Sequence, residues 1–361
     1  MKIADRPIDA AHPPYLIAEM SANHNGSLER ALAIVDAAAD AGAHAVKLQT
    51  YTADTMTLDC DAPGFVIDDP DSLWHGRHLH ELYHEAHLPW EWHGPIFKRA
   101  EERGIHCLSS PFDASAVAFL EELGAPAYKI ASFELVDLPL IRTVARTGKP
   151  MIMSTGMATV SEIDEAVRAA RSEGNDQIVL LKCTSTYPAT PANTNIATIP
   201  HLAAMTGCAV GLSDHTMGCG VSVAATALGA VLIEKHFTLA RADGGVDSAF
   251  SMEPAELAQL REETERAWQA VGTVSYGDVP AEDGSRTFRR SLYITRDLKA
   301  GEVIDAGAIR AIRPGFGLAP KFLDMLIGKR VARDVARGTP ASWDLIGVEV
   351  SEKDRTHALT P

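Results

Sequence analysis

The chain has 361 residues, a hydrophobic fraction of 46% and a formal net charge of −15 at pH 7; this length supports a large domain plus a smaller one, and the negative charge disfavours nucleic acid or an anionic membrane surface as a partner. The five cysteines are odd in number and form no CxxC motif, which argues against a disulfide framework or a zinc ribbon and fits a reducing cytoplasm. No stretch has the pattern of a signal peptide or a membrane span, so we expect a soluble cytoplasmic protein.

The chain alternates short β-rich apolar runs with amphipathic helical patterns. The predicted strands cover residues 15–20, 45–51, 106–111, 127–132, 150–155, 178–184, 209–215 and 231–238. The predicted helices include residues 28–41, 115–123, 138–146, 160–172, 220–228 and 255–271. Strands that alternate with helices indicate the α/β class. We therefore expect a TIM (β/α)8 barrel over residues 1–275, with an open doubly wound sheet as the alternative.

Residues 52–92 interrupt this rhythm between the second and third units. The segment carries Trp74, Trp90 and Trp92 together with five histidines. A loop this long in a compact domain is usually functional or disordered, and the aromatic side chains argue against disorder. We therefore expect a lid or specificity loop over the barrel mouth. A helical surface excursion with solvated histidines is the alternative.

The pattern changes after the last predicted barrel helix. Residues 276–288 are polar and contain glycine, as expected of a linker, and residues 351–361 form a tail. Between them, residues 289–350 predict a small domain of short strands and turns, among them 291–295, 309–312, 323–327 and 331–334. About 60 residues bury little apolar area, so we expect this domain to dock onto something larger.

Polar side chains stand at the carboxyl ends of the predicted strands. In a barrel, the loops that follow these ends form the active face. The candidates there are Glu19, Lys47, Gln49, Ser110, Lys129, Ser132, Ser154, Ser185, Ser213, His215, Glu234 and His236. Lysines supply charge and hydroxyls supply directional donors, a combination that suits a phosphate. The set therefore predicts a site for a phosphorylated or anionic small molecule.

Two of these candidates, His215 and His236, follow the last two predicted strands, which one helix-length segment separates. Successive parallel strands lie side by side, so both imidazoles should reach the same rim. Two neutral imidazoles leave a divalent ion with open positions for activating water or polarising a carbonyl. Either histidine alone would more often be a structural residue than a metal ligand. Glu19 and Glu234 are candidate acid or base groups beside the ion, unless each is simply a buried glutamate paired with a lysine.

Seven motifs near these strand ends resemble those of the sialic acid synthase family. They are residues 17–26 (IAEMSANHNG), 47–51 (KLQTY), 109–113 (SSPFD), 128–132 (YKIAS), 154–158 (STGMA), 211–216 (GLSDHT) and 234–238 (EKHFT). The likeness runs from about residue 15 to residue 346. It includes the small domain at residues 289–350, which resembles the antifreeze-like (SAF) domain of these synthases. The insertion at residues 52–92 resembles the pseudaminic branch of the family rather than the N-acetylneuraminate branch.

The resemblance implies a transferase that condenses phosphoenolpyruvate with an amino-sugar aldehyde and releases phosphate by C–O cleavage. For the pseudaminic branch, the acceptor would be the open-chain form of 2,4-diacetamido-2,4,6-trideoxy-L-altrose. His215 and His236 would bind a divalent ion, usually Mn2+, with Mg2+ and Co2+ as alternatives. The residues that would hold phosphoenolpyruvate are Ser110, Lys129, Ser132, Ser154, Ser185 and Ser213.

The resemblance also assigns the remaining site residues. Glu19 would lie beside the metal and the acceptor, and Lys47 and Gln49 would contact the reacting groups. Tyr187 and Asp247 would bind the sugar. Arg313, in the small domain, would extend into the partner subunit's site to meet an N-acetyl group, which implies a domain-swapped homodimer.

Three alternatives remain open at this point. The first is a sibling synthase that makes N-acetylneuraminic or legionaminic acid. The second is a metal-dependent barrel hydrolase or aldolase, which the paired histidines alone would permit. The third is a sugar-binding protein with an inactive barrel. The intact set of catalytic candidates disfavours the third alternative, because binding alone does not require a metal beside a phosphate cradle; this set is Glu19, Lys47, Lys129, His215 and His236.

Overall fold

The computed structural model describes residues 1–70, 72–277 and 279–347. The chain divides into two compact units between Gly272 and Thr273. Within the described residues, we find no helix whose length and hydropathy would let it span a bilayer. The predicted tail, and residues 348–350 of the predicted small domain, lie outside the described residues.

Eight parallel strands in the first unit close into a barrel, which confirms the predicted TIM fold. A short antiparallel hairpin, β1 (Lys2–Ile3) and β2 (Arg6–Pro7), precedes them. The barrel strands are β3 (Tyr15–Glu19), β4 (Ala45–Thr50), β5 (His106–Pro111), β6 (Tyr128–Ile130), β7 (Met151–Ser154), β8 (Ile178–Cys183), β9 (Ala209–Ser213) and β10 (Leu232–His236). Each overlaps a predicted strand, because strands of a parallel sheet are buried on both faces and form continuous apolar runs.

The closure of the barrel excludes the open doubly wound sheet. The last strand, β10, pairs with the first, β3, in a parallel register that runs from Leu232 opposite Tyr15 to His236 opposite Glu19. The order around the barrel is β10-β3-β4-β5-β6-β7-β8-β9. This pairing brings the polar end of the last strand beside the polar end of the first.

The helices alternate with the strands and cover the outside of the barrel. They are α1 (Leu28–Asp40), α2 (Ala53–Met56), α3 (Leu79–Ala86), α4 (Trp90–Glu102), α5 (Ala114–Glu122), α6 (Leu138–Ala145), α7 (Val160–Ser172), α8 (Thr198–Thr206), α9 (Gly220–Ala227) and α10 (Pro254–Val271). Helix α7 shows the local rules: it begins at a capping box between Thr159 and Glu162. It buries Ile163, Ala166 and Val167, which share one helix face.

The hairpin at the amino terminus, which we did not predict, closes the bottom of the barrel. Ile3 and the neighbouring Ile8 are fully buried in a cluster with inward-facing strand residues, among them Ile17, Leu108 and Val179. The opposite, carboxyl-terminal end of the barrel is consequently the end that remains available for a site.

The insertion is partly helical and partly an extended turn. Helix α4 begins at Trp90, so Trp90 and Trp92 belong to a barrel helix. The prediction had assigned both residues to the insertion. Between α2 and α3, Val66 forms an antiparallel bridge with His78. Trp74 lies between these two residues, at the turn of the segment.

The second unit has its own apolar core. Strands β11 (Ser291–Ile294) and β12 (Ile309–Ile312) lie where short strands were predicted, and they pair antiparallel. Residues 323–327, predicted among short strands and turns, instead contain a helical turn, α12 (Leu323–Leu326). The residues predicted as a linker contain another, α11 (Asp283–Arg286). The core of this unit is formed by residues such as Leu292, Ile294, Leu298, Ile304, Ile309 and Leu345.

Candidate active site

A buried ammonium group, that of Lys47, lies at the centre of the carboxyl-terminal rim. Its Nζ atom is 3.2 Å from Glu19 Oε2 and 3.1 Å from Glu234 Oε1. Lys129 Nζ lies 3.9 Å from the same oxygen of Glu234. All four side chains are buried, and they come from β3, β4, β6 and β10. Ser213 on β9 donates a hydrogen bond of 3.0 Å to Glu234 Oε1. The rim is therefore a single charged network.

The pKa values of the two carboxyl groups in this network are shifted in opposite directions. Burial raises the pKa of Glu19 to about 7, opposed by Lys47 and assisted by the charge of Glu234. Burial would also raise the pKa of Glu234, but Lys129 and Lys47 outweigh it and lower that pKa to about 2. Glu234 is therefore an ionised anchor for the lysines, whereas Glu19 can carry a proton near neutral pH.

Lys129 is positioned to receive an anion. Burial lowers its pKa to about 8, and the charge of Glu234 opposes this only in part. Its Nζ atom donates a hydrogen bond of 3.1 Å to the carbonyl of Ile130. An anion bound next to Lys129 would favour its charged form and regain the energy lost to burial.

Hydroxyl groups and one glycine lie at the strand ends near Lys129. Ser110 and Ser154 have buried Oγ atoms without a hydrogen-bond partner among the described residues. The Gly156 amide donates a hydrogen bond of 3.2 Å to Ser132 Oγ. A Cβ atom at Gly156 would lie 2.2 Å from Ser185 Oγ and 2.7 Å from Ser132 Oγ, so a side chain there would displace these hydroxyl groups. These unsatisfied donors suit the oxygens of a phosphate or carboxylate.

The two predicted metal ligands meet at this rim. The ring centroids of His215 and His236 are 5.4 Å apart. His215 Nδ1 donates to the carbonyl of Thr184 at 2.9 Å, which leaves Nε2 with its lone pair. His236 Nδ1 is buried and has no hydrogen-bond partner among the described residues, and burial holds the pKa of His236 well below its usual value. The neighbouring Cys183 thiol, by contrast, contributes to raising the pKa of His215 against the effect of burial. A lone pair on each ring in its unprotonated form would suit a metal ion.

The histidine pair supplies fewer protein ligands than a closed metal site. Across residues 1–70, 72–277 and 279–347, no group of three or more histidine, cysteine, aspartate or glutamate side chains is arranged to hold a metal ion. An ion held by His215 and His236 would therefore keep positions for water or substrate, as in catalytic sites.

A second hydrogen-bonded chain leads away from Glu19 along the rim. Gln49 Nε2 donates to Glu19 Oε1 at 2.8 Å and to Ser21 Oγ at 2.9 Å. Ser21 in turn donates to Asp247 Oδ2, and burial raises the pKa of Asp247. The ring of Tyr187 lies 4.5 Å from that of His215. Gln49, Asp247 and Tyr187 thus border one region next to the histidines.

Arg313 lies in the second unit, where it directly follows β12. Its predicted role involves a partner subunit and stays a prediction.

Sequence reasoning missed two rim residues. Glu134 follows β6 in a helical turn; burial raises its pKa to about 7, and its Oε2 atom is buried without a partner among the described residues. It stands just beyond the strand end at which the candidate list stopped, so extending that list into the loop would have found it. Ser21 has a positive φ of 45°. Its link to Asp247 joins distant parts of the chain, and no local pattern indicates it.

Comparisons with known proteins agree with this geometry. Residues 34–276 match the model of the NeuB family, and residues 289–347 match that of the SAF domain. The chain is 43% identical over 327 residues to a pseudaminic acid synthase of Campylobacter jejuni, covering 90% of this chain and 94% of the relative. It is 40% identical to a pseudaminic acid synthase of Helicobacter pylori, covering 92% of this chain and 97% of the relative.

More distant relatives and solved structures share the same architecture. The N,N'-diacetyllegionaminic acid synthase of Legionella pneumophila is 34% identical, covering 92% of this chain and 94% of the relative. A crystal structure of the N-acetylneuraminic acid synthetase of Leptospira borgpetersenii in complex with citrate superposes with a TM-score of 0.71 at 30% identity, covering 79% of this chain and 94% of that chain.

Proposed function

The chain belongs to the NeuB family, and we propose that it is a pseudaminic acid synthase. It condenses phosphoenolpyruvate with 2,4-diacetamido-2,4,6-trideoxy-L-altrose to give pseudaminic acid, a nonulosonic acid, and phosphate. Identities of 43% and 40% to pseudaminic acid synthases, against 34% to a legionaminic acid synthase, support this acceptor. The observation that carries the proposal is the charged rim in which Glu19, Lys47, Glu234 and Lys129 stand beside the histidine pair.

Members of this family generally use a divalent metal ion. His215 and His236 would hold this ion, and Mn2+ is the metal we propose, with Mg2+ or Co2+ as alternatives. A bound ion would supply Lewis-acid polarisation of the aldehyde oxygen of the acceptor. The free lone pair on each ring supports this assignment.

Lys129 and the serines bind phosphoenolpyruvate. The ammonium of Lys129 stabilises the phosphate, which gains negative charge as the C–O bond breaks. The hydroxyl groups orient the phosphate and the carboxylate, so that the enol carbon faces the aldehyde carbon. The serines that serve this role are Ser110, Ser132, Ser154, Ser185 and Ser213.

Glu19 acts as the general acid. As the enol carbon attacks the aldehyde carbon, the aldehyde oxygen gains negative charge, and Glu19 donates its proton there. Water then adds to the cationic centre and returns one proton to Glu19. The tetrahedral intermediate expels phosphate as its new hydroxyl becomes the ketone and gives its proton to the phosphate. Lys47 holds Glu19 in place, and Gln49, Tyr187 and Asp247 bind the sugar.

The assembly and location follow from the same proposal. The protein is a domain-swapped homodimer in which Arg313 of one protomer meets an N-acetyl group in the partner's site. The domain division is a barrel at residues 1–275, a linker at 276–288, a SAF domain at 289–350 and a tail at 351–361. The five cysteines are free thiols, which supports a cytoplasmic location.

Phosphate release tests the proposal. Purified protein is incubated with Mn2+, phosphoenolpyruvate and one of three acceptors. The acceptors are 2,4-diacetamido-2,4,6-trideoxy-L-altrose, the acceptor sugar of legionaminic acid synthases, and N-acetylmannosamine. We expect the highest kcat/KM with the first acceptor and one phosphate per pseudaminic acid formed. A higher kcat/KM with either other acceptor assigns the chain to a sibling synthase. Phosphate release without any acceptor would contradict the synthase altogether.

A further inference from the structure

We propose that Trp74 forms the far wall of the acceptor subsite and selects an acceptor with an apolar 6-deoxy end. This inference rests on the proposed function and adds a specificity residue to it. Trp74 comes from the insertion that follows β4.

The contacts of Trp74 place it at the rim. Its Nε1–H donates a hydrogen bond of 3.3 Å to the carbonyl of Val246. Val246 directly precedes Asp247, which the network of Ser21, Gln49 and Glu19 joins to the reaction centre. The turn between α2 and α3 therefore reaches the loop that follows β10.

Aromatic rings lead outward from the metal ligands to Trp74. The ring centroids of Tyr187 and His215 are 4.5 Å apart, and those of Trp74 and Tyr187 are 6.0 Å apart. Phe250 packs against both Tyr187 and His236, with ring centroids 5.3 and 4.9 Å apart, respectively. An acceptor whose aldehyde lies at the histidines meets Tyr187 first and Trp74 second. Trp74 therefore faces the end of the sugar that is remote from the aldehyde.

The chemistry of the indole determines what it selects. Because its single N–H group is bonded to Val246, the ring offers the substrate only an apolar face. A methyl or acetyl group loses its hydration favourably against that face, whereas a hydroxyl group would be left without a partner. The proposed acceptor has a methyl group at C6, where N-acetylmannosamine has a hydroxyl group.

The test compares Trp74→Ala and Trp74→Leu with Trp268→Ala as the matched control. Trp268 is a half-buried indole of α10 that also donates to a backbone carbonyl, that of Ala10 at 3.0 Å. We expect Trp74→Ala to raise KM for the diacetamido acceptor roughly 10-fold, with little change in KM for phosphoenolpyruvate. The ratio of kcat/KM between this acceptor and N-acetylmannosamine should fall by a similar factor. Trp268→Ala should change neither.

The result separates this inference from the proposed function. If the wild-type protein uses the diacetamido acceptor and Trp74→Ala keeps its selectivity, Trp74 is not a specificity residue and the synthase assignment stands. If the wild-type protein uses none of the acceptors, the assignment itself fails, and acceptor quenching of fluorescence that Trp74→Leu abolishes would still support the subsite. Should Trp74→Ala fail to fold, the same measurements are made on Trp74→Leu, which keeps an apolar side chain. They are KM for the diacetamido acceptor and the ratio of kcat/KM between this acceptor and N-acetylmannosamine.

Discussion

Glu19 and Glu234 contact the same ammonium group, that of Lys47, at 3.2 and 3.1 Å. Their pKa values nevertheless lie on opposite sides of the usual carboxyl value, at about 7 and about 2. Glu234 faces two lysines and Glu19 faces one, and both are buried. Two carboxyl groups with separated pKa values can serve as an acid and as a permanent charge.

Glu19→Gln tests the acid role. The glutamine keeps the size of the side chain but cannot donate a proton, so we expect kcat to fall by about 100-fold. Because the pKa of Glu19 is raised to about 7, the protonated form is present below that pH and is lost above it. The wild-type kcat should therefore decline as the pH rises through about 7, and the kcat of the variant should not. If kcat of Glu19→Gln declines in the same way, the titrating group is not Glu19.

Glu234→Gln tests the anchor role. Removing this charge leaves two buried ammonium groups without their shared partner, which we expect to cost about 3–5 kcal/mol of unfolding free energy. Urea unfolding monitored by circular dichroism measures it. The control is Glu121→Gln, which breaks a half-exposed pair with Lys149 and should cost under about 1 kcal/mol. Equal losses in the two variants would contradict the network.

His215→Ala and His236→Ala test the metal site. Each removes one of two protein ligands, so we expect turnover to be abolished and not restored by excess Mn2+. Calorimetric titration with Mn2+ should show the loss of binding directly. His44→Gln is the control, because His44 is buried away from the rim and accepts a hydrogen bond from the Leu16 amide. Ample activity in either alanine variant would count against metal ligation.

Gly156→Ala tests the anion cradle. The added methyl group would meet Ser185 Oγ at 2.2 Å and push the serines apart. We expect KM for phosphoenolpyruvate to rise about 10-fold or more, because misplaced donors lose the geometry they need. Gly94→Ala is the control, since a Cβ atom there meets nothing within 4 Å. Steady-state kinetics with varied phosphoenolpyruvate measures both, and an unchanged KM in Gly156→Ala would place the substrate elsewhere.

Arg313→Ala tests the contribution of the second unit. If Arg313 meets an N-acetyl group in the partner's site, its loss should raise KM for the acceptor by about 10-fold and leave KM for phosphoenolpyruvate nearly unchanged. Arg310→Ala, an exposed position on the strand β12 that Arg313 follows, is the control. The reverse order of the two KM effects would dismiss the role.

Much of the fold was predictable from local pattern. Buried parallel strands such as β8 (Ile178–Cys183) are continuous apolar runs, so all eight could be located. Helix α4 starts earlier than predicted, because its first turn carries Trp90 and Trp92, which were assigned to the preceding insertion. The hairpin β1–β2 was missed because two-residue strands carry no alternation to detect.

The sequence by itself determined which residue types stand at the strand ends, because side-chain alternation and barrel topology send those residues to one rim. Only the tertiary structure decided which atoms meet. Closure between β10 and β3 brings Glu234 to Lys47 and to the neighbourhood of Glu19, although these residues come from opposite ends of the barrel sequence. Their pKa values depend on that closure, because burial and neighbouring charge act through space and leave no trace in local sequence.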